Sequence, residues 1–247
     1  IAQWTFESQV SKEHKIKLGA EAQLHEISSS WKTIVNLTED QTDENDIPIF
    51  TLGYREPGTP GNESYKKYPY QFSAYVQDKM EYDIMIINAG LRLDYCNANT
   101  SLPVDLRNPS LLNPNPFFPG AGITEKVKAK YQLSPRIGVS FPISDQGAIY
   151  FSYGHFFQIP NFENLYRNDR YIIEGGQSLS SITGNPDLDA QKTVKYELGL
   201  QQVVFPNISL DITTYYSDIR NLLGMEIINT YEGFKYARFI NKDYGNV

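Results

Sequence analysis

The chain has 247 residues, a formal net charge of −7 and a sequence pI near 5.0. This acidic balance argues against nucleic-acid binding, which needs a clustered basic surface. The mean hydropathy is −0.43, and no apolar run approaches the roughly 18 residues of a transmembrane helix. Cys96 is the single cysteine, so the chain contains no internal disulfide framework.

A two-residue alternation of apolar and polar side chains recurs along the chain. In the segment from Tyr70 to Tyr82, for example, nearly all even positions are apolar and nearly all odd positions are polar. A β-strand points successive side chains to opposite faces, so this pattern predicts a sheet with one apolar and one polar face. In chain order, the predicted strands lie at 1–10, 15–28, 69–82, 85–96, 130–143, 148–158, 191–205 and 208–230, with a ninth from about Phe234.

Strand length separates two architectures that supply such a sheet. A soluble β-sandwich packs its apolar faces together, whereas an outer-membrane barrel turns its apolar face to lipid and its polar face to a lumen. Sandwich strands usually have about 5 or 6 residues, and tilted membrane strands need about 9 to 11. The long periodic segments therefore favour an all-β, antiparallel, up-and-down transmembrane barrel. A soluble sandwich that serves as a binding or adhesion module is the alternative.

The connections between the predicted strands alternate between short and long. Short turns fall near 11–14, 83–84, 144–147 and 206–207, and long loops at about 29–68, 97–129 and 159–190. This alternation is typical of outer-membrane barrels, which have short periplasmic turns and long extracellular loops. The predicted 208–230 strand exceeds what a membrane requires, so we expect 222–229 to extend above the outer surface and to turn at 231–233.

Several segments of the chain form a set of motifs in a fixed order. They are LSPRIGVSFPI from Leu133 to Ile143, FSYGHFFQIP from Phe151 to Pro160, AYVQD from Ala74 leading to GLRLDY from Gly90, GNPDLD from Gly184 leading to YELGL from Tyr196, and YYSDIRNL from Tyr215 to Leu222. In their order and spacing, these segments resemble the barrel of a TonB-dependent outer-membrane receptor over nearly the whole chain. The resemblance is strongest to receptors of Bacteroidota-like bacteria that carry a carboxypeptidase-regulatory-like domain.

The resemblance implies a barrel of about 22 strands around an N-terminal plug, in the outer membrane of a Gram-negative bacterium. Such a receptor imports a scarce nutrient, namely a siderophore, vitamin, glycan or peptide, with energy from the TonB complex. Its expected partners are outer-membrane lipid, TonB through an N-terminal region, a surface lipoprotein and the nutrient. With about nine strands over 1–247, no visible signal peptide, plug or TonB box, the chain is expected to be part of a larger barrel.

Charged and amide side chains on the polar parity are candidates for a lumen lining. They would contact a plug or a ligand path in a receptor, or pair with neighbouring strands. These residues are Lys17, Glu21, Gln77, Lys79, Arg92, Asp94, Arg136, Lys195 and Glu197.

The loop 161–177 is the candidate ligand-binding segment. Its Tyr166, Arg167, Arg170 and Tyr171, near Phe162, Asp169 and Glu174, suit a polar or anionic ligand that is held by stacking and bidentate hydrogen bonds. The same residues would also suit packing against neighbouring loops.

The sequence offers no catalytic or metal motif, so we expect no enzyme activity and no cofactor. The acidic positions Glu39, Asp40, Asp43, Glu44 and Asp46 lack the glycine and closing glutamate of an EF-hand loop, which favours a solvated charge run. His14, His25 and His155 fall on separate predicted elements, and neither HExxH nor GxSxG occurs.

Overall fold

The computed structural model describes residues 1–36, 38, 41–55, 62–173 and 181–246. Nearly all regular structure in these ranges is β-strand, with one short helix, α1 (Phe162–Tyr166). The strands are β1 (Ala2–Gln9), β2 (His14–Leu24), β3 (Ile27–Lys32), β4 (Ile34–Asn36), β5 (Leu52–Tyr54), β6 (Asn62–Lys67), β7 (Tyr70–Tyr82), β8 (Met85–Asn97), β9 (Ser101–Pro103), β10 (Thr124–Lys126), β11 (Lys130–Ser144), β12 (Gly147–Gln158), β13 (Ser181–Thr183), β14 (Gln191–Phe205), β15 (Ile208–Asn229) and β16 (Lys235–Asn246). Within the described ranges, no helix has the length and apolarity needed to cross a membrane.

One large sheet contains all nine strands that the alternation predicts. Its order is β1-β2-β7-β8-β11-β12-β14-β15-β16-β13, and its long strands pair antiparallel with their neighbours along the chain. This is the predicted up-and-down arrangement. Among the described residues, β1 and β13 remain unpaired at their outer edges, so the sheet is an open piece of a barrel.

β2 ends earlier than the predicted strand at 15–28. The ladder between β2 and β7 stops at the pair Leu24 and Tyr70, after which the His25 N–H donates to the Pro69 carbonyl at 3.0 Å. Proline has no N–H to return the next ladder hydrogen bond, so the pairing cannot continue. The chain then starts a separate hairpin, in which β3 pairs with β6.

β15 extends beyond its neighbour β14, as the sequence predicts. The pairing with β14 ends at Lys192 and Arg220, whereas the pairing with β16 continues to Asn229 and Lys235. The turn that follows carries Gly233 at φ +85°, a left-handed conformation that glycine adopts without a Cβ penalty. The three-residue strand β13 pairs in parallel with Tyr236–Arg238 of β16, on the side away from β15. The sequence did not predict β13.

The two faces of the large sheet have opposite character. The apolar face remains exposed, with relative exposures of 45% for Val76, 40% for Leu91 and 50% for Leu198. A β-sandwich would bury such a face against a second sheet, so the sandwich alternative is wrong for this arrangement. The polar face is concave, because residues from six of its strands line a common pocket.

The buried core lies in the loops at one end of the sheet. Described parts of the three long connections, 25–69, 98–129 and 159–190, contact one another there, and we call these connections the loop cap. Leu165, Tyr166 and Leu188 form its central cluster, against which Tyr65, Ala98, Phe162 and Phe239 pack. Lys67 ties all three connections together, because its Nζ lies 2.7 Å from Asp169 Oδ2 and donates to Thr100 Oγ1 at 3.1 Å. The short turns lie at the opposite end of the sheet.

Candidate functional site

A pocket with a volume of about 470 Å³ opens on the concave polar face. It spans the middle of β2, β7, β8, β11, β12 and β14. Its polar lining includes Lys17, Gln77, Asn88, Arg92, Ser134, Arg136, Ser152, Lys195 and Glu197, and its aromatic lining includes Tyr75 and Phe156.

Strand register explains why these side chains meet. Residues that pair directly across an antiparallel ladder point to the same face of the sheet. One such row crosses six strands through consecutive pairs, and it consists of Lys17, Gln77, Gly90, Arg136, Gly154 and Lys195. Glycines alternate with long side chains in the second half of this row, which leaves room between the charged groups.

Two of the basic residues in the pocket are ion-paired. Arg92 Nε donates to Asp94 Oδ1 at 2.8 Å, and Lys195 Nζ lies 2.5 Å from Glu197 Oε1. Glu197 also accepts a hydrogen bond of 2.9 Å from Ser152 Oγ. These pairs join residues two apart on one strand and are part of the polar surface of the concave face.

The predicted lumen residues all lie on the concave polar face. Six of them line the large pocket, namely Lys17, Gln77, Arg92, Arg136, Lys195 and Glu197. Glu21 and Asp94 join Arg92 in a neighbouring pocket of about 150 Å³. Lys79 lies outside both pockets, where it pairs with Glu81. Their role as the lining of a lumen stays a prediction.

Sequence reasoning missed the glycines and aromatic residues of this pocket. Gly90, Gly138 and Gly154 share the polar parity, where a missing side chain gives no sign of function by itself. A Cβ at Gly138 would have its nearest neighbour at 3.9 Å, so the floor of the pocket is bare backbone there. For Gly90 and Gly154, the usable signal is the pairing of each glycine with long side chains on the neighbouring strands.

The candidate tyrosines of loop 161–177 are buried in the loop cap. Tyr166 has a relative exposure of 1%, and its hydroxyl donates to the Ala98 carbonyl at 2.6 Å. Tyr171 has a relative exposure of 2% and lies edge-on to Tyr236, with ring centroids 6.4 Å apart. Burial raises the pKa of both phenols. Both rings are therefore out of reach of a ligand outside the cap in this arrangement.

The candidate arginines of the same loop are more accessible. The Arg167 guanidinium lies 5.2 Å from the centroid of the Trp31 ring and 3.5 Å from Glu163 Oε1. Arg170 is exposed, and its backbone carbonyl accepts a hydrogen bond from the Leu111 N–H. Ligand contact therefore stays a prediction that the geometry favours only for these two arginines. Glu174 lies outside the described residues.

A family profile matches nearly the whole chain. The family is described as "TonB dependent receptor-like, beta-barrel", and the match covers residues 2–242. The chain belongs to the TonB-dependent receptor family. Among curated protein sequences, none matches this receptor chain.

Solved structures of the same kind share the fold of this receptor chain. A mutant of the ferric enterobactin receptor PfeA from Pseudomonas aeruginosa has a TM-score of 0.62 at 16% identity, covering 99% of this chain and 31% of its own. The copper transporter OprC has a TM-score of 0.56 at 15% identity, covering 96% of this chain and 32% of its own. A double mutant of the Serratia marcescens hemophore receptor HasR, with its hemophore and heme, has a TM-score of 0.56 at 15% identity. It covers 99% of this chain and 37% of its own. The chain thus spans about a third of the length of these structures.

The acidic run of the first long loop contributes to a turn in the receptor. Asp43 Oδ1 accepts hydrogen bonds from the backbone N–H groups of Asn45 at 2.8 Å and Ile47 at 2.9 Å. These hydrogen bonds, that of Ile47 first, lower the pKa of Asp43. Glu39 and Asp40 lie outside the described residues. In the part of the chain that the structure describes, no group of three acidic, histidine or cysteine residues could hold a metal ion.

The three histidines have separate structural contacts. His14 Nδ1 lies 2.7 Å from Asp78 Oδ2, and His25 packs against Phe162 with ring centroids 5.1 Å apart. His155 Nε2 lies 2.5 Å from the Tyr153 hydroxyl. The structure does not bring them together.

Glu63 of the hairpin β3–β6 gives the loop cap a predicted pH dependence. Burial raises the pKa of this carboxyl group above 4.5, although Arg167 opposes the shift. The folded cap therefore binds the proton more tightly than the unfolded chain does, and its stability falls as the pH rises from 4.5 through the raised pKa. We expect Glu63→Gln to slow hydrogen exchange of 62–67 at pH 7 and to weaken the pH dependence of that exchange. Glu44→Gln, in the exposed part of the loop, is the control, and an equal effect of both substitutions would contradict the role of burial.

Proposed function

We propose that this chain is part of an outer-membrane receptor that takes up a scarce nutrient with energy from the TonB complex. The observation that carries the proposal is the family match over residues 2–242. The open two-faced sheet supports it, because an exposed apolar face beside a concave polar face is the surface that a barrel wall needs between lipid and a wet interior. Members of this family are transporters, so we propose no catalytic role.

The nutrient is proposed only as a class. The matched structures are named as transporters or receptors of copper, ferric enterobactin and a heme-carrying hemophore. Those ligands belong to those proteins, and the low identities carry only the fold to this chain. A siderophore, vitamin, glycan or peptide is the proposed cargo. TonB, reached through an N-terminal region, and a surface lipoprotein are the proposed protein partners.

The proposal assigns different roles to the two faces and to the cap. The apolar face contacts outer-membrane lipid. The nine charged and amide side chains predicted for the concave face, among them Lys17 and Glu197, line the lumen. Arg167 and Arg170 contact the nutrient at the outer surface. The resemblance to receptors with a carboxypeptidase-regulatory-like domain supports the hypothesis that such a domain precedes the plug.

Cysteine labelling in intact cells tests the location and the sidedness. In a background with Cys96→Ser, an impermeant maleimide is expected to modify Asn45→Cys in the loop cap and to spare Gln146→Cys in the turn between β11 and β12. Both positions are exposed in the structure, so protection of the turn would report a membrane between them. Labelling of Gln146→Cys alone would invert the topology, and equal labelling of both would refute the membrane location.

A further inference from the structure

The concave pocket is positively charged although the chain as a whole is acidic. Four basic side chains line it, Lys17, Arg92, Arg136 and Lys195, against the single carboxylate of Glu197. The chain carries a net charge of −7. A cleft that concentrates one sign of charge attracts the opposite sign, and its low-dielectric walls strengthen this effect.

Two of these cations lack a carboxylate partner. Among the described residues, Lys17 and Arg136 have no acidic side chain within ion-pair distance, in contrast to Arg92 with Asp94 and Lys195 with Glu197. Glu7, which pairs with Lys17 in the β1–β2 register, forms its ion pair with Lys15 instead. Two cations without a carboxylate in ion-pair distance in one pocket favour an anionic occupant, because a cleft that concentrates one sign of charge attracts the other.

Arg136 is held in an orientation that suits anion binding. Its guanidinium lies over the Phe156 ring, 4.7 Å from the centroid, and its Nε donates to the His155 carbonyl at 3.4 Å. These contacts leave the two terminal nitrogens for a planar, bidentate partner such as a carboxylate. Gly154 permits the arrangement, because a Cβ there would lie 3.3 Å from the Phe156 ring and 3.5 Å from Arg136 Cγ.

We propose that this pocket binds a carboxylate, with Arg136 as the bidentate contact and Lys17 as the second cation. The inference deepens the proposed function, since it gives a chemical class to what occupies the lumen face. The carboxylate has two possible sources, a solute in the path or an acidic side chain of a protein segment that fills the concave face. The bare backbone at Gly138 leaves space for either.

The test measures the reactivity of Arg136 in the receptor as its host produces it, purified in detergent. Phenylglyoxal modifies accessible guanidinium groups, and mass spectrometry follows each arginine separately. With succinate at about ten times its Kd, about one site in eleven is free, so modification of Arg136 should slow about tenfold. Succinamide, which is neutral, should give no protection. Arg220, whose side chain is 66% exposed and paired with Asp218 outside the pocket, should react equally under both conditions.

Substitution of Lys17 separates a binding site from general charge effects. Lys17→Gln should raise the succinate concentration needed to protect Arg136 several-fold, whereas Lys12→Gln, in the exposed turn of the same hairpin, should not.

If Arg136 is unreactive without any additive, a carbodiimide that joins amines to contacting carboxylates should link Lys17 to an acidic residue, and the linked peptide identifies the protein segment. Equal reactivity of Arg136 with and without succinate, without any carbodiimide link to Lys17, would overturn the proposal. That outcome leaves the cysteine labelling of Asn45 and Gln146 unaffected, so the two proposals fail separately.

Discussion

Arginine in place of Leu91 is expected to destabilise the membrane-inserted receptor by about 2 to 4 kcal/mol. Leu91 lies at the middle of β8 (Met85–Asn97), pairs with Val76 and Pro135, and points to the exposed apolar face. At the midplane of a bilayer, a guanidinium group at this position would have to stay in hydrocarbon or pull water toward it. Denaturant unfolding of the receptor in lipid vesicles measures the change in free energy.

Asn88→Arg is the matched control for Leu91→Arg. Asn88 lies on the same strand but on the concave face, where it lines the large pocket beside other polar groups. The same charge is solvated there, so the loss of stability should be clearly smaller. Equal losses for both substitutions would contradict the assignment of the two faces.

The sheet could be predicted from the sequence because an apolar face and a polar face require opposite side chains at alternate residues. Nearly every side chain of β7 and β8 follows this alternation, and a one-residue shift in register would move each of them to the opposite face. The predicted end of β2 was wrong for a local reason. The predicted strand continues to residue 28, but Pro69 cannot supply the next ladder hydrogen bond after Leu24.

The loop cap could not be predicted in the same way, because its contacts join residues far apart in the chain. β13 has three residues, too few to show a period, and it forms only because β16 offers an edge for Ser181 to Thr183. The hairpins β3–β6, β4–β5 and β9–β10 are also invisible to an alternation that identifies long strands. The local sequence of a short strand does not show which distant strand it pairs with.

The candidate site shows the same limit at the level of single residues. The parity placed Lys17, Arg136 and Lys195 on one face, and the register then brought them into one pocket. Composition could not separate ligand contact from packing in loop 161–177, because tyrosine supplies an apolar ring and a hydroxyl for both. Only the three-dimensional arrangement shows that Tyr166 and Tyr171 are buried while Arg170 is exposed.

Tyr166 is expected to be the residue on which the loop cap depends most. Its ring packs in the central cluster with Leu165 and Leu188, 6.0 Å from the Tyr65 centroid, and its hydroxyl reaches the Ala98 carbonyl. Removing a large buried aromatic side chain costs about 3 to 5 kcal/mol, through lost burial and the cavity that remains. Loss of the hydroxyl alone removes one hydrogen bond, worth about 1 kcal/mol.

We therefore expect Tyr166→Ala to lower the free energy of cap opening by about 3 to 5 kcal/mol, and Tyr166→Phe by about 1 kcal/mol. Arg170→Ala, a surface change in the same loop, should stay within about 0.5 kcal/mol. Hydrogen exchange of 98–129 and 159–173 in the receptor reports the opening, and nutrient uptake in the same variants reports ligand contact. If Tyr166→Ala left exchange unchanged but abolished uptake, the ring would have to contact the nutrient in an open form of the cap. If Arg170→Ala reduced uptake without changing exchange, ligand contact would belong to the exposed arginine, as the burial of the two tyrosines leads us to expect.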